Sequence, residues 1–168
     1  MALLVLASGI GGCGEGLSAS ELEGTYAIVE REEGPCEGPL EPNLPSPDDR
    51  HFQLVEEDRG GEPLLAYYGC EAPDDCSTTR DLLRSFGRSG GGWEASLANA
   101  ESGCVLRFRR RALFATESGV EIVQTVYRET DDSLPIEECT DMEANRRGDA
   151  MPCVSVVEIR AERIGPAP

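Results

Sequence analysis

From Leu22 to Ile164 the chain alternates short apolar runs with clusters of Gly, Pro and Asp, and the runs carry the two-residue period of half-buried strands. Eight such runs predict strands over 22–31, 50–58, 63–69, 80–87, 92–99, 104–116, 120–130 and 153–164. Within the fourth, Asp81-Leu82-Leu83-Arg84 also suits a helical turn. One segment, 135–147, breaks the period: Pro135 fits the first turn of a helix and Gly148 fits its stop. The pattern predicts an all-β domain, an eight-stranded antiparallel up-and-down barrel with one short helix before the last strand. An eight-stranded β-sandwich is the alternative.

The connections alternate in length. Those after strands two, four and six are tight (59–62, 88–91 and 117–119), whereas those after strands one, three and seven are long and hold Pro, Asp or the helix. In a meander every second connection falls at the same end, so the long connections are expected to share one rim. The turn Glu117-Ser118-Gly119, with Gly119 in a left-handed conformation, sets a register in which Thr116 faces Val120 and Arg110 faces Val126. One face then carries Leu106, Phe108, Arg110, Ala112, Phe114, Val120, Ile122, Gln124 and Val126, and the other carries Arg107, Arg109, Arg111, Tyr127 and Glu129. The first face is the more apolar and is expected to look inward. Trp93, Phe86, Phe108, Phe114 and Ile122 are the expected core.

Seven cysteines change the picture. Cys13 stands apart near the front, and the other six (Cys36, Cys70, Cys76, Cys104, Cys139 and Cys153) all fall on the rim of long connections. An even set without Cys-x-x-Cys, with His51 as the sole histidine, reads as three disulfides rather than a metal site, and fifteen pairings are open. Nearness along the chain favours Cys70–Cys76 and Cys139–Cys153, which leaves Cys36–Cys104.

Net charge is −17, and all 15 basic residues are arginine. So acidic a chain is unsuited to nucleic acid or to direct adhesion on anionic headgroups, because phosphate binding needs clustered cations. No stretch carries catalytic or cofactor spacing: there is no Gly-x-Ser-x-Gly elbow, and Ser89 to Gly92 is a hairpin turn without the strand-to-helix setting of a phosphate loop. The doublets Asp48-Asp49, Asp74-Asp75 and Asp131-Asp132 lack the alternating oxygen ligands of a calcium loop. No metal and no cofactor are expected, and the chain is not expected to be an enzyme. Two residues stand out as candidate ligand contacts. Arg110 and Gln124 are polar groups on the face expected to look inward, and a buried guanidinium needs a partner, either a bound carboxylate or an internal Glu such as Glu56 or Glu158. A bulge turning Arg110 outward is the other reading. Arg107, Arg109 and Arg111 are expected to pair across strands with Glu129 and its neighbours on the outside.

At the front, apolar or small residues from Ala2 to Ile10 precede Ile10-Gly11-Gly12-Cys13, which in turn precedes a Gly/Ser-containing stretch. This resembles the lipobox of bacterial lipoproteins. The resemblance implies a signal peptide at 1–12, a lipidated Cys13 opening a flexible tether over 13–21, and a single disulfide-stapled domain over 22–165. The alternative is a plain cleavable signal, or a buried strand, with Cys13 free. Because Gly14 and not Asp follows the cysteine, the resemblance implies an exported protein anchored at the outer membrane. The strand pattern also resembles the lipocalin or calycin type of barrel. Gly24-Thr25-Tyr26 is similar to its Gly-x-Trp signature, and the Pro-rich connection 32–49 is similar to its long first loop. Two functions are therefore expected in outline: a monomeric, lipid-anchored structural or interaction module of the envelope with an envelope protein as partner, or a carrier of a small apolar or acidic ligand inside the barrel.

Overall fold

The computed structural model describes residues 17–36, 50–90 and 92–166. The apolar run, Cys13, Asp48-Asp49 and most of the Pro-rich connection lie outside them. Nine strands are present: β1 Gly24–Gly34, β2 His51–Arg59, β3 Glu62–Ala72, β4 Asp75–Cys76, β5 Asp81–Ser89, β6 Gly92–Glu101, β7 Val105–Ala115, β8 Gly119–Thr130 and β9 Cys153–Gly165. Apart from the two-residue β4, each strand pairs antiparallel with its neighbours in sequence, and β9 returns to pair with β1. Eight strands thus close an up-and-down barrel. Closure leaves no long unpaired edge for another chain to add to.

The hairpins Arg59–Glu62, Ser89–Gly92 and Thr116–Gly119 lie at one end, here the floor. All six paired cysteines lie at the other end, the rim, as the loop lengths predict. The floor is packed with apolar side chains. Tyr26, Phe52, Leu54, Leu65, Phe86, Trp93, Leu113, Val120, Ile122 and Val157 are all buried there, and the Phe52 ring stacks between those of Tyr26 and Tyr67 at centroid distances of 5.2 and 4.9 Å.

Residues 17–22, the first five of them expected in the tether, instead form part of this floor. A short helical turn, α1 (Ala19–Leu22), is closed by a reciprocal cap between Ser18 and Glu21 and buries Ala19 and Leu22 against the core. Two arginines hold it. Arg88 lies over the Trp93 ring at 4.4 Å and donates to the Leu17 carbonyl at 2.6 Å, which also accepts from Trp93 Nε1 at 3.0 Å. Arg163 lies over the Tyr26 ring at 5.6 Å, and the Tyr26 hydroxyl donates to the Leu22 carbonyl at 2.6 Å. Aromatic rings with a polar tip can fill a core and still bind backbone in this way.

The expected helix is shorter than 135–147. Helix α2 spans Asp141–Arg147 because Thr140, not Pro135, caps it: the Thr140 side chain accepts from the Glu143 amide. Gly148 stops it at φ 52, as expected. Helix α2 lies outside the barrel and covers β6 and β7, where Leu106, Ala144, Met151 and Cys104 form a second apolar cluster with Phe108 and Tyr127. Arg147 clasps the cover to the wall through Glu129 at 2.7 Å and Asp131 at 2.8 Å, and is itself steadied within α2 by Glu143 at 2.8 Å.

The clasp makes a testable demand on pH. Hydrogen bonds from Ser133 and Arg147 hold the Asp131 carboxyl down from its ordinary 3.8 to about 2, and hydrogen bonds from Arg146 and Arg147 lower Glu143 from 4.5 to about 2. Carboxyls depressed on folding stabilise the native state above their unfolded values and cease to do so as pH falls through the folded ones. The melting temperature is therefore expected to drop between about pH 4.5 and pH 2. In Arg147→Met the same titration should be flatter.

Candidate anion site on the inner wall

The hairpin β7–β8 decides what lines the barrel. Thr116 and Gly119 close a two-residue loop, with the Thr116 amide donating to the Gly119 carbonyl at 3.0 Å and the Gly119 amide to Thr116 Oγ1 at 3.0 Å. Ala115, not Thr116, therefore faces Val120, and Arg110 faces Thr125. This corrects the expected register by one residue, and a one-residue slip transfers every side chain of a strand to the opposite face. Gly119 is not left-handed either. It is glycine because a Cβ there would collide with the Ala161 backbone of β9, a close approach of the kind that excludes side chains.

On β8 the inward residues are those expected: Val120, Ile122, Gln124 and Val126 are buried. On β7 the faces are exchanged. Arg107, Arg109, Arg111 and Leu113 stand opposite Arg128, Val126, Gln124 and Ile122 on the inner wall. Leu106 and Phe108 face outward, where α2 covers them, and Phe114 is 51% exposed. Of the expected core, Trp93, Phe86 and Ile122 remain inside, whereas Phe108 and Phe114 do not.

The outcome for the two candidate contacts is divided. Arg110 points outward and is ion-paired with Glu94 and, at 3.6 Å, with Asp149 just after α2, so it is no part of the interior. Gln124 is inside and 7% exposed, and its Oε1 accepts from Arg111 Nε at 2.7 Å. The arginine strip expected on the surface is thus an interior feature, and Glu129, its expected partner, serves Arg147 instead.

Two levels divide the barrel. The lower is the aromatic floor; the upper is walled by Arg109, Arg111, Gln124, Tyr67, Val126 and Ser155. Burial, reinforced by the like charge of Arg84, depresses Arg111 to about 10, and burial followed by the charge of Arg107 lowers Arg109. Among the described residues neither Arg109 nor Arg111 is in an ion pair with a carboxylate. Nearby, Arg107 meets Glu101 at 3.4 Å and Arg84 meets Asp81 at 3.0 Å while lying over the Tyr67 ring at 5.4 Å.

Arg84 also lines a cleft at the start of β5. The start of β5 is turned on itself: the Leu83 and Arg84 amides donate to Asp81 Oδ1, and the Ser85 hydroxyl donates to the Asp81 carbonyl at 2.7 Å. These local bonds explain why Asp81-Leu82-Leu83-Arg84 also suits a helical turn, and they compete with the ladder. Pairing of β3 with β5 is regular only at Leu64 and Leu65 and resumes at Tyr67 opposite Asp81 after an irregularity. A cleft of about 730 Å³ lies at this parting, its charged lining being Glu71, Asp75, Asp81, Arg80 and Arg84.

The rim is stapled in a pattern partly different from the expected one. Cys70–Cys76 forms as expected, joining β3 to β4 beside the cleft. Cys139 pairs with Cys104, not Cys153, and Cys153 pairs with Cys36. Closure gives the reason. Because β1 pairs with β9, Gly34 faces Val156, and Cys36 emerges beside Cys153. Cys104 and Cys139 meet within the apolar cluster under α2. Of the remaining candidates, His51 faces Cys70 in the β2–β3 ladder, and Asp131 is engaged by Arg147 and Ser133.

Chemically the upper level offers guanidinium groups to an oxyanion. Desolvated guanidiniums bind carboxylate and phosphate oxygens in bidentate, charge-assisted geometry; here the charges of Glu101 and Asp81 act on Arg109 and Arg111 in turn. No protein family, curated protein or solved structure compared with the chain matches it.

Proposed function

We propose that this protein is a lipid-anchored protein of the bacterial envelope whose barrel carries a small acidic ligand. The observation that carries the reading is the pair Arg109 and Arg111, turned into the barrel and outside any ion pair with a carboxylate among the described residues. Glu94 pairs directly with Arg110 on the outer wall, whereas on the inner wall Glu101 and Asp81 act on Arg109 and Arg111 without an ion-pair contact.

The envelope location draws on the lipobox resemblance and on the three disulfides, which suit an oxidising compartment. Glu30, Glu94, Arg110, Glu121 and Arg160 stud the outer wall, unlike the apolar band of a membrane-spanning barrel. An anchor at Cys13 would join the domain at its floor, through Leu17. The stapled rim and the cleft would then face away from the membrane.

Native mass spectrometry of the protein extracted from its own membrane tests both halves. The wild type is expected to carry a diacylglyceryl mass and a small acid released on unfolding. Cys13→Ser should lose the lipid and keep the acid; Arg109→Gln/Arg111→Gln should do the reverse. A wild type free of any acid, with the double variant indistinguishable from it, overturns the carrier reading.

A further inference from the structure

We infer that the upper part of β6 is a docking edge, to which an extended, basic segment of a partner protein adds as a short strand.

Closure removes the long edges of the sheet and leaves one short stretch open. β5 and β6 pair only where Gly87, Arg88 and Ser89 face Glu94, Trp93 and Gly92. Beyond Glu94, β6 continues to Glu101 in unbroken register with β7. β5 does not follow it, because the turn closed by Asp81 leads the chain back to β3, where Asp81 faces Tyr67. An antiparallel strand directs its amides and carbonyls to either side in alternation. The Ala100 amide donates to Asp141 Oδ1 of α2 at 2.8 Å, away from β7, so the backbone groups of Ser96 and Ala98 also point away from β7. Among the described residues nothing pairs with them on that side. The Ser96 and Ala98 amides and carbonyls thus form an open edge, bounded below by the Glu94 pairing and above by Asp141.

Exposed edges are normally guarded by charged side chains or proline. Charged residues make up 28% of the chain, yet Ala95-Ser96-Leu97-Ala98-Asn99-Ala100 contains none, and no proline. Leu82 and Leu83, on the turn that leads β5 away from β6, are 57% and 60% exposed. In strand addition the main chain supplies affinity and alternate side chains supply specificity, and these leucines offer the apolar contact. The sign of the partner follows from the chain's 32 acidic residues against 15 basic ones, which attract a basic segment and repel an acidic one. A second copy of this chain is the poorer fit, because its β6 would bring its own Asp81 turn into the same gap.

Amide hydrogen exchange on the full-length protein in a mild detergent tests the inference, with and without a synthetic peptide of alternating valine and threonine that ends in arginines. Without peptide, the Ser96 and Ala98 amides are expected to exchange at least about ten-fold faster than those of Leu97 and Asn99, which point to β7. With peptide they should slow by at least about ten-fold. Methylating every second peptide amide should abolish binding for one alternate set and spare it for the other, the pattern of a strand paired along a single edge. Ser96→Pro removes an edge amide and no bond to β7, so its melting temperature should stay near wild type while peptide affinity falls at least about ten-fold. Slow exchange at Ser96 and Ala98 in the protein alone at every concentration, fast exchange that the peptide does not slow, or equal tolerance of both methylated sets overturns the docking edge. Protection that grows with protein concentration in the absence of peptide, together with a dimer in sedimentation, assigns the edge to a second copy and overturns the peptide partner. Equal binding of a peptide that ends in glutamates overturns the basic partner.

Discussion

Cys36→Ser/Cys153→Ser is expected to be the most destabilising of the three disulfide deletions, costing roughly 5 kcal/mol on the chain-entropy account. The bridge closes 117 residues of chain, against 35 for Cys104–Cys139 and 6 for Cys70–Cys76. Because the entropy removed from the unfolded chain grows with the logarithm of the loop, the same account puts the other two at roughly 4 and roughly 2 kcal/mol. The bridge also joins the first strand to the last at the seam where the barrel closes. Urea unfolding of the three double variants under non-reducing conditions checks the ranking. Equal midpoints for all three would show that loop length is not what the bridges act through.

Phe52→Ala should cost about 3–5 kcal/mol, the range for removing a fully buried aromatic side chain. Its ring is inaccessible to solvent and stacked between Tyr26 and Tyr67, so truncation leaves a cavity bordered by two rings that β1 and β3 hold in place. The cavity cannot collapse without shifting both strands. Phe114→Ala, at a ring half exposed on the outer wall, is the control and should stay within about 0.5 kcal/mol of wild type. Thermal melts of the two variants separate the outcomes. A Phe52→Ala melt close to wild type would mean that the aromatic floor repacks freely, contrary to a tightly filled lower level.

Several features of the site lay within reach of the sequence. Alternation placed Val120, Ile122, Gln124 and Val126 on the inner wall of β8, because a strand with one buried face repeats every two residues whatever surrounds it. The same rule misassigned β7. Leu106 and Phe108 are apolar because α2 lies over them from outside, so the more apolar face of that strand is its outer one. A helix that crosses back over a strand adds a second buried surface, and no periodicity within the strand reveals it.

The turn carried a second signal open to misreading. Thr116 to Gly119 suits a bulged three-residue loop as well as a two-residue one, and Gly119 fits the first for its conformational freedom. Its actual reason for being glycine, the approach of the Ala161 backbone, comes from β9, some forty residues further along the chain. One residue of register then moved Arg109 and Arg111 from the surface to the interior. The candidate site changed with it from Arg110 to its two neighbours.

By itself the sequence determined the eight strands that close the barrel, though not the two-residue β4, together with the tight hairpins at the floor, the gathering of six cysteines at the rim and the stop of α2 at Gly148, all of which follow from periodicity, turn chemistry and loop length within a few residues. Only the tertiary structure decided which cysteines pair and which face of β7 looks inward. Both depend on contacts between segments distant in the chain: β9 closing on β1 brings Cys153 to Cys36, and α2 folding over β6 and β7 exchanges the apolar side of a strand from inside to outside. Local chemistry specifies the elements, but burial is a property of what packs on each face, and for β7 that is settled by a helix that begins eleven residues after its partner strand β8 ends.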